Sequence, residues 1–210
     1  MMNQSPMHYV CTHEQAWELI QAQALEPEPD GSLLSTVRLA QPGAGFWVCN
    51  CGCRESSAGC QRSRMDLCLM FTESDPGSGS GKHRADRQEV LAILKEARLR
   101  HLVARPYRDE TRGFTEGICF CCDDCCGYFA DPCEVCDPGS LVAETDRETC
   151  DDCGACVAVC YFGARELTDG LLTVRSGACY GCGLCVPACP VERIRMVARK
   201  ETGLGLVADG

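Results

Sequence analysis

Eight cysteines of this 210-residue chain fall into two runs of one design. Cys150, Cys153, Cys156 and Cys160 read C-x2-C-x2-C-x3-C. Cys179, Cys182, Cys185 and Cys189 repeat it, with Pro190 directly after. Three cysteines at two-residue intervals let a short loop curl around one cubane and offer three thiolates, while the fourth points away to the other cubane. The spacing therefore predicts two [4Fe–4S] clusters. The first takes Cys150, Cys153, Cys156 and Cys189, and the second takes Cys179, Cys182, Cys185 and Cys160. Small residues in both loops (Gly154, Ala155, Gly181 and Gly183) allow backbone N–H groups to approach the sulfurs. Zinc competes, because paired C-x2-C motifs also make four-cysteine zinc sites. Two regular four-cysteine runs closed by Cys189-Pro190 favour iron and sulfide.

With these motifs, residues 144–200 resemble the bacterial-type two-[4Fe–4S] ferredoxins. Tyr161 stands where that family usually has proline. The resemblance implies a small pseudo-symmetric βαβ-repeat fold that passes single electrons and makes no bonds.

Thirteen further cysteines lie outside the runs. Cys11 is isolated and reads as a small buried hydrophobe. The others are Cys49, Cys51, Cys53, Cys60 and Cys68 in one block, then Cys119, Cys121, Cys122, Cys125 and Cys126, then Cys133 and Cys136. Such tight groups exceed what packing needs. Cys119, Cys122 and Cys125 repeat the C-x2-C-x2-C nest, with Cys126 pointing away and a fourth ligand open to the first block. A competing grouping sets Cys51, Cys53, Cys60 and Cys68 together as one site. Cys133 and Cys136 could add a ligand pair. The cofactor expected here is a further [4Fe–4S] cluster or a zinc ion.

The chain from residue 45 to 198 also resembles a group of anaerobe-type iron–sulfur proteins, in which a cysteine-rich module precedes a dicluster ferredoxin. Cys51-Gly52-Cys53-Arg54, Cys60 and Asp66-Leu67-Cys68 carry the likeness, as does Ile118-Cys119-Phe120-Cys121-Cys122-Asp123-Asp124-Cys125-Cys126-Gly127. The resemblance implies electron transfer.

Several elements must position these thiols. Residues 13–24 read as a helix with Thr12 as N-cap and Gln15 completing a capping box. Ala16, Leu19, Ile20 and Gln23 mark one face, with Trp17 packing beside it. A strand is expected at Leu33–Leu39 and a short one at Phe46-Trp47-Val48. Residues 75–82, DPGSGSGK, read as a surface loop and lack P-loop spacing. Residues 84–104 read as the longest helix, with Val90, Leu91, Leu94, Ala97 and Leu102 inward and Arg105-Pro106 as its end. Leu171–Val174 reads as a strand after an Asp169-Gly170 turn, with Ile194–Val197 as its counterpart. The expected fold class is α+β: a cysteine-rich mixed α/β module over residues 1–136, a connector at 137–146, a ferredoxin-like domain at 147–200 and a tail at 201–210.

Composition narrows the function. The formal net charge is −10, which disfavours bulk nucleic-acid binding and would steer an electron carrier to basic patches on a redox partner. Between Lys82 and Arg112, nine Lys/Arg face five Asp/Glu. That local excess reads as a solvated helix face, next as a docking surface, last as a DNA contact. No signal peptide and no membrane span are visible, so thiols held by metal in a reducing cytoplasm are expected. His8, His13, His83 and His101 stand in no catalytic arrangement, and no dinucleotide, esterase or zinc-protease motif occurs. The expected role is an electron-transfer protein or subunit working with an oxidoreductase complex. Alternatives are a redox sensor using the basic helix and an enzyme with an open-site cluster. No catalytic residue is expected, and the oligomeric state is left open.

Overall fold

A computed structural model describes residues 5–24, 44–130 and 135–200. The expected strand at Leu33–Leu39, the tail and Cys133 lie outside the described residues.

In chain order the elements are β1 (His8–Tyr9), α1 (His13–Ala24), β2 (Ala44–Cys49), α2 (Gly52–Ser56), β3 (Cys68–Thr72), β4 (His83–Arg84), α3 (Arg87–Leu99), β5 (Val103–Arg108), β6 (Thr115–Cys121), α4 (Gly127–Ala130) and β7 (Cys136–Asp137). There follow β8 (Leu141–Thr145), β9 (Arg165–Thr168), β10 (Leu171–Val174), a 3-10 turn at Ser176–Ala178, α5 (Cys185–Ala188) and β11 (Ile194–Ala198).

Seven strands form one sheet in the order β4-β2-β3-β6-β5-β1-β7. Side chains alternate between the two faces of a strand, and here the two faces differ in kind. Val48, Leu69, Phe71, Ala104, Ile118 and Phe120 point to one side and bury Ala16 and Ile20 of α1 and Val90, Ile93, Leu94 and Ala97 of α3. The other side carries Trp47, Cys49, Cys68, Met70, Tyr107 and Cys119. Further along it, Val103 and Cys121 share a second buried cluster with Ala143, Leu172 and Ile194 of β8, β10 and β11 and with Cys156, Val159, Leu184 and Cys185 of the cysteine runs.

α1 begins as its sequence indicates. The Thr12 N–H donates to Gln15 Oε1 at 3.0 Å, and the Gln15 N–H donates to Thr12 Oγ1 at 3.2 Å. These reciprocal bonds satisfy two amide donors that the first turn leaves open. Trp17 packs against the core formed by α1, α3 and the sheet.

The long helix is shorter than the sequence suggests. It runs Arg87–Leu99 rather than 84–104, with Asp86 as N-cap accepting from the Glu89 N–H at 2.8 Å. His83–Arg84 is instead an edge strand on β2. His101 turns the chain with φ 52°, and Val103 onward is strand β5. Pro106 therefore sits in a strand and ends no helix. Ala104 and Arg108 aim their backbone groups at the β1 side, through Cys11 N–H to Ala104 O and Arg108 N–H to Met7 O. Pro106, midway between them, turns its missing donor to that side and costs the β5–β6 ladder nothing. The inward face also shifts: Ile93 is buried, whereas Leu91 is 42% exposed.

In the C-terminal part β9 and β10 form a hairpin across Asp169 (φ 52°) and Gly170 (φ 79°). Two successive positive φ values suit the right-handed twist of the flanking strands. β11 pairs antiparallel with β8, which lies in the stretch expected as a connector.

His13 links α1 to the start of β5 through its Nε2–H, which donates to Leu102 O at 2.8 Å. Burial holds its pKa below the ordinary imidazole value, although the bond to Leu102 pulls the other way. The native state therefore binds fewer protons than the unfolded chain. The stabilisation is fully present above about pH 6.5 and falls as pH drops below it. Denaturation under argon should show the stability gap between wild type and His13→Gln narrowing from about pH 8 to about pH 5.5. A gap that stays constant would show that His13 does not titrate against folding.

Candidate functional site

Two cavities hold the cysteines of the double run. Cys150, Cys153, Cys156 and Cys189 line one, with Thr145, Leu172 and Ile194. Cys160, Cys179, Cys182 and Cys185 line the other, with Ala143, Val159, Phe162 and Val174. Each cavity collects three cysteines of one run and the last cysteine of the other.

The backbone repeats along with the sequence. Left-handed φ values occur one residue before the second cysteine of each run, at Asp152 (53°) and Gly181 (81°). They recur one residue after it, at Gly154 (75°) and Gly183 (75°), and three after the last cysteine, at Gly163 (64°) and Glu192 (54°). A Cβ on Gly181 would stand 2.3 Å from Leu141 O. Asp152 occupies the matching place because its carboxylate accepts the Leu172 N–H at 2.9 Å and pairs with Arg147 at 3.0 Å.

The surroundings suit thiolates bound to a cation. The Arg193 N–H reaches Cys189 Sγ at 3.3 Å, and the Ala143 N–H reaches Cys179 Sγ at 3.5 Å. The amides of Ala155 and Leu184 serve Cys153 and Cys182. Burial pushes Cys182 up to about 12 and Cys185 up to about 11. Thiols placed this deep become anions readily only beside a positive centre. One such centre is protein: Arg165, 4% exposed, donates to Cys156 Sγ at 3.7 Å and to Thr145 Oγ1 at 2.8 Å. It also acts electrostatically on Cys160 and Cys185. It thus stands between the two cavities. No motif marks Arg165, which is one strand residue among twenty Lys and Arg.

The N-terminal cysteines sort differently from either grouping drawn from spacing. Cys119 on β6 and Cys122 just after it lie on opposite sides of the sheet, so the C-x2-C-x2-C nest of Cys119, Cys122 and Cys125 does not form. The set Cys51, Cys53, Cys60 and Cys68 is likewise divided. Three groups exist instead. Cys49, Cys68 and Cys119 are direct partners across β2, β3 and β6, with Ser78 Oγ donating to Cys68 Sγ at 3.5 Å. Cys51, Cys53, Cys121 and Cys126 form a second group through thiol contacts of Cys51 with Cys53, Cys53 with Cys126, and Cys126 with Cys121. Beside it, buried Arg105 donates to Cys126 Sγ at 3.5 Å and Cys121 Sγ at 3.7 Å. Cys121 is brought down to about 7, first by Cys126 and then by Arg105. The third group is Cys60, Cys122 and Cys125, whose sulfurs all lie within 4.8 Å of one another. Cys136 lies in β7 with its thiol on Asp137 O at 3.7 Å. Cys11 is 3% exposed among apolar neighbours, and burial raises its pKa.

Aromatic rings join the module to the runs. Phe162 stacks on Tyr180 at 4.4 Å, and Tyr128 and Phe129 of α4 pack on Phe162 at 6.3 and 5.2 Å. Tyr161, at the position where proline was expected, packs on Phe129 and lies under Arg62.

This donor set defines an iron–sulfur, ferredoxin-like domain within an α+β chain. Residues 149–193 match the family model described as a 4Fe-4S dicluster domain. No curated protein and no solved structure matches the chain. Among the described residues no helix is long and apolar enough to cross a membrane.

The cavity walls yield a direct test. Gly181→Ala places a Cβ against Leu141 O in a left-handed conformation, and such positions cost about 1–3 kcal/mol before any clash is counted. Anaerobic denaturation should show a loss of at least that size, whereas Gly177→Ala, with nothing within 4 Å of its Cβ, should change little. Equal effects would remove the special role of Gly181.

Proposed function

We propose that this chain relays single electrons to or from a partner oxidoreductase through two [4Fe–4S] clusters. Cys150, Cys153, Cys156 and Cys189 hold the first, and Cys179, Cys182, Cys185 and Cys160 hold the second. The observation that carries this reading is the pair of four-cysteine cavities, each completed by a cysteine of the other run. A bound cubane supplies a one-electron store without bond making. The chain supplies eight thiolates, the Arg193, Ala143, Ala155 and Leu184 amides, and the Arg165 guanidinium. These donors stabilise charge at the sulfurs before any electron arrives, which keeps reorganisation small. Exposed Cys153 gives the first cavity a short path to a docked partner.

The sensor reading loses ground on charge, because the chain carries a formal net charge of −10 that opposes a nucleic-acid partner, although Arg84, Arg87, Lys95, Arg98 and Arg100 stay exposed. A reducing cytoplasm suits this many thiols.

Protein purified without oxygen should carry about eight irons and eight acid-labile sulfides in these two sites. Cys182→Ala should lose about half of that iron and much of the C-terminal stability, since a small cluster domain has little other core. Full iron and unchanged stability would refute the ligand assignment. Arg165→Leu should make at least one of the two potentials more negative, on the order of 50–100 mV, by removing a buried cation that favours the reduced state. An EPR-monitored redox titration reads this, and potentials within a few mV of wild type would show that Arg165 is only structural.

A further inference from the structure

The Cys60, Cys122 and Cys125 group differs from the ferredoxin-like cavities in scale. Cys60 Sγ lies 3.5 Å from Cys122 Sγ, which lies 3.5 Å from Cys125 Sγ. Tetrahedral zinc–thiolate bonds of about 2.3 Å set their sulfurs roughly 3.8 Å apart. Among the described residues this is the one group of three metal-ligating side chains drawn so close. The thiols of the double run, which line two separate cavities, make no such group. The spacing thus fits one ion and not a four-iron cubane.

Charge points the same way. Arg54 is 1% exposed, and its guanidinium is anchored by Arg64 O at 2.9 Å and Phe120 O at 3.0 Å. Its nearest anionic partners are sulfurs, with Cys60 in hydrogen-bonding reach and Cys51 and Cys125 close by. No ion pair to a carboxylate involves Arg54 among the described residues. A buried guanidinium without an anion is strongly destabilising. Three thiolates on one divalent ion carry a net single negative charge, which this arginine balances.

We propose that Cys60, Cys122 and Cys125 bind one zinc ion, with Arg54 as the charge-balancing residue beneath it. Binding releases the three thiol protons and forms three Zn–S bonds. Among the described residues no fourth His, Cys, Asp or Glu donor shares the spacing, so solvent completes the tetrahedron on the side of half-buried Cys60. The ion fastens the loop after α2 to the turn after β6. Cys122 and Cys125 are buried in the core beneath α1 and α3, so the site is structural in its placement and open at one position.

The proposal stands apart from the electron-transfer reading, and its test separates the two. Full-length protein purified without oxygen is analysed for zinc and iron, then compared with Cys60→Ser. That variant alters a half-buried loop residue and leaves the double run untouched. The expected result is about one zinc fewer per chain with iron unchanged. Zinc-edge X-ray absorption of the wild type should show sulfur neighbours near 2.3 Å and no iron neighbour. Loss of iron in place of zinc, unchanged zinc, or an iron neighbour at the zinc edge would each overturn the proposal. Arg54→Met, if it folds, should weaken zinc retention against a chelator at least tenfold, and retention equal to wild type would remove Arg54 from the site.

Discussion

Sulfur anions cannot be buried alone, and this constraint shapes both halves of the chain. Three arginines lie almost wholly inside: Arg54 at 1%, Arg105 at 2% and Arg165 at 4% exposure. Each sits against cysteine sulfur. Arginine rarely occupies a core, because its desolvation is repaid only by close anionic partners and satisfied N–H groups. Here the anions come from thiols and several acceptors are backbone carbonyls. Each arginine also enters from a regular element, α2, β5 or β9, so secondary structure fixes its distance from the sulfur.

The sheet divides the molecule chemically. β6 makes the division most plainly, since Ile118 and Phe120, and Cys122 directly after the strand, face the helices while Cys119 and Cys121 face away. Adjacent cysteines that look like one string in sequence therefore serve different groups. Spacing in a loop and spacing in a strand have different meanings. In a loop, C-x2-C-x2-C brings three thiols to one centre; across β6 and the turn after it, the same interval puts Cys119 on the far side of the sheet from Cys122.

That difference explains what the sequence revealed. The double run lies mostly in loops punctuated by left-handed residues, so the spacing of its cysteines was readable. The Thr12–Gln15 capping box and the Asp169-Gly170 turn are local devices and were legible for the same reason. Long-range pairing was not. The cross-strand row Cys49, Cys68 and Cys119 depends on registers between β2, β3 and β6, set by residues far apart in the chain. The end of α3 was misplaced because Leu102-Val103-Ala104 continues an apolar pattern. His101 and the pull of the sheet break the helix there, and Arg105-Pro106 has no part in it. The buried arginines left no trace, since charge in a sequence reads as surface.

The ring cluster of Tyr128, Phe129, Tyr161, Phe162 and Tyr180 has a consequence for how the chain comes apart. Its members are drawn from α4 on one side and from residues in and beside both cysteine runs on the other, so the apolar core of the C-terminal half is shared with the N-terminal one. A fragment that starts after β7 would keep its eight clustered thiols but present bare aromatic faces to water, and would tend to self-associate. Through Tyr161 and Phe162, loosening of α4 would be felt at the loop that carries Cys160.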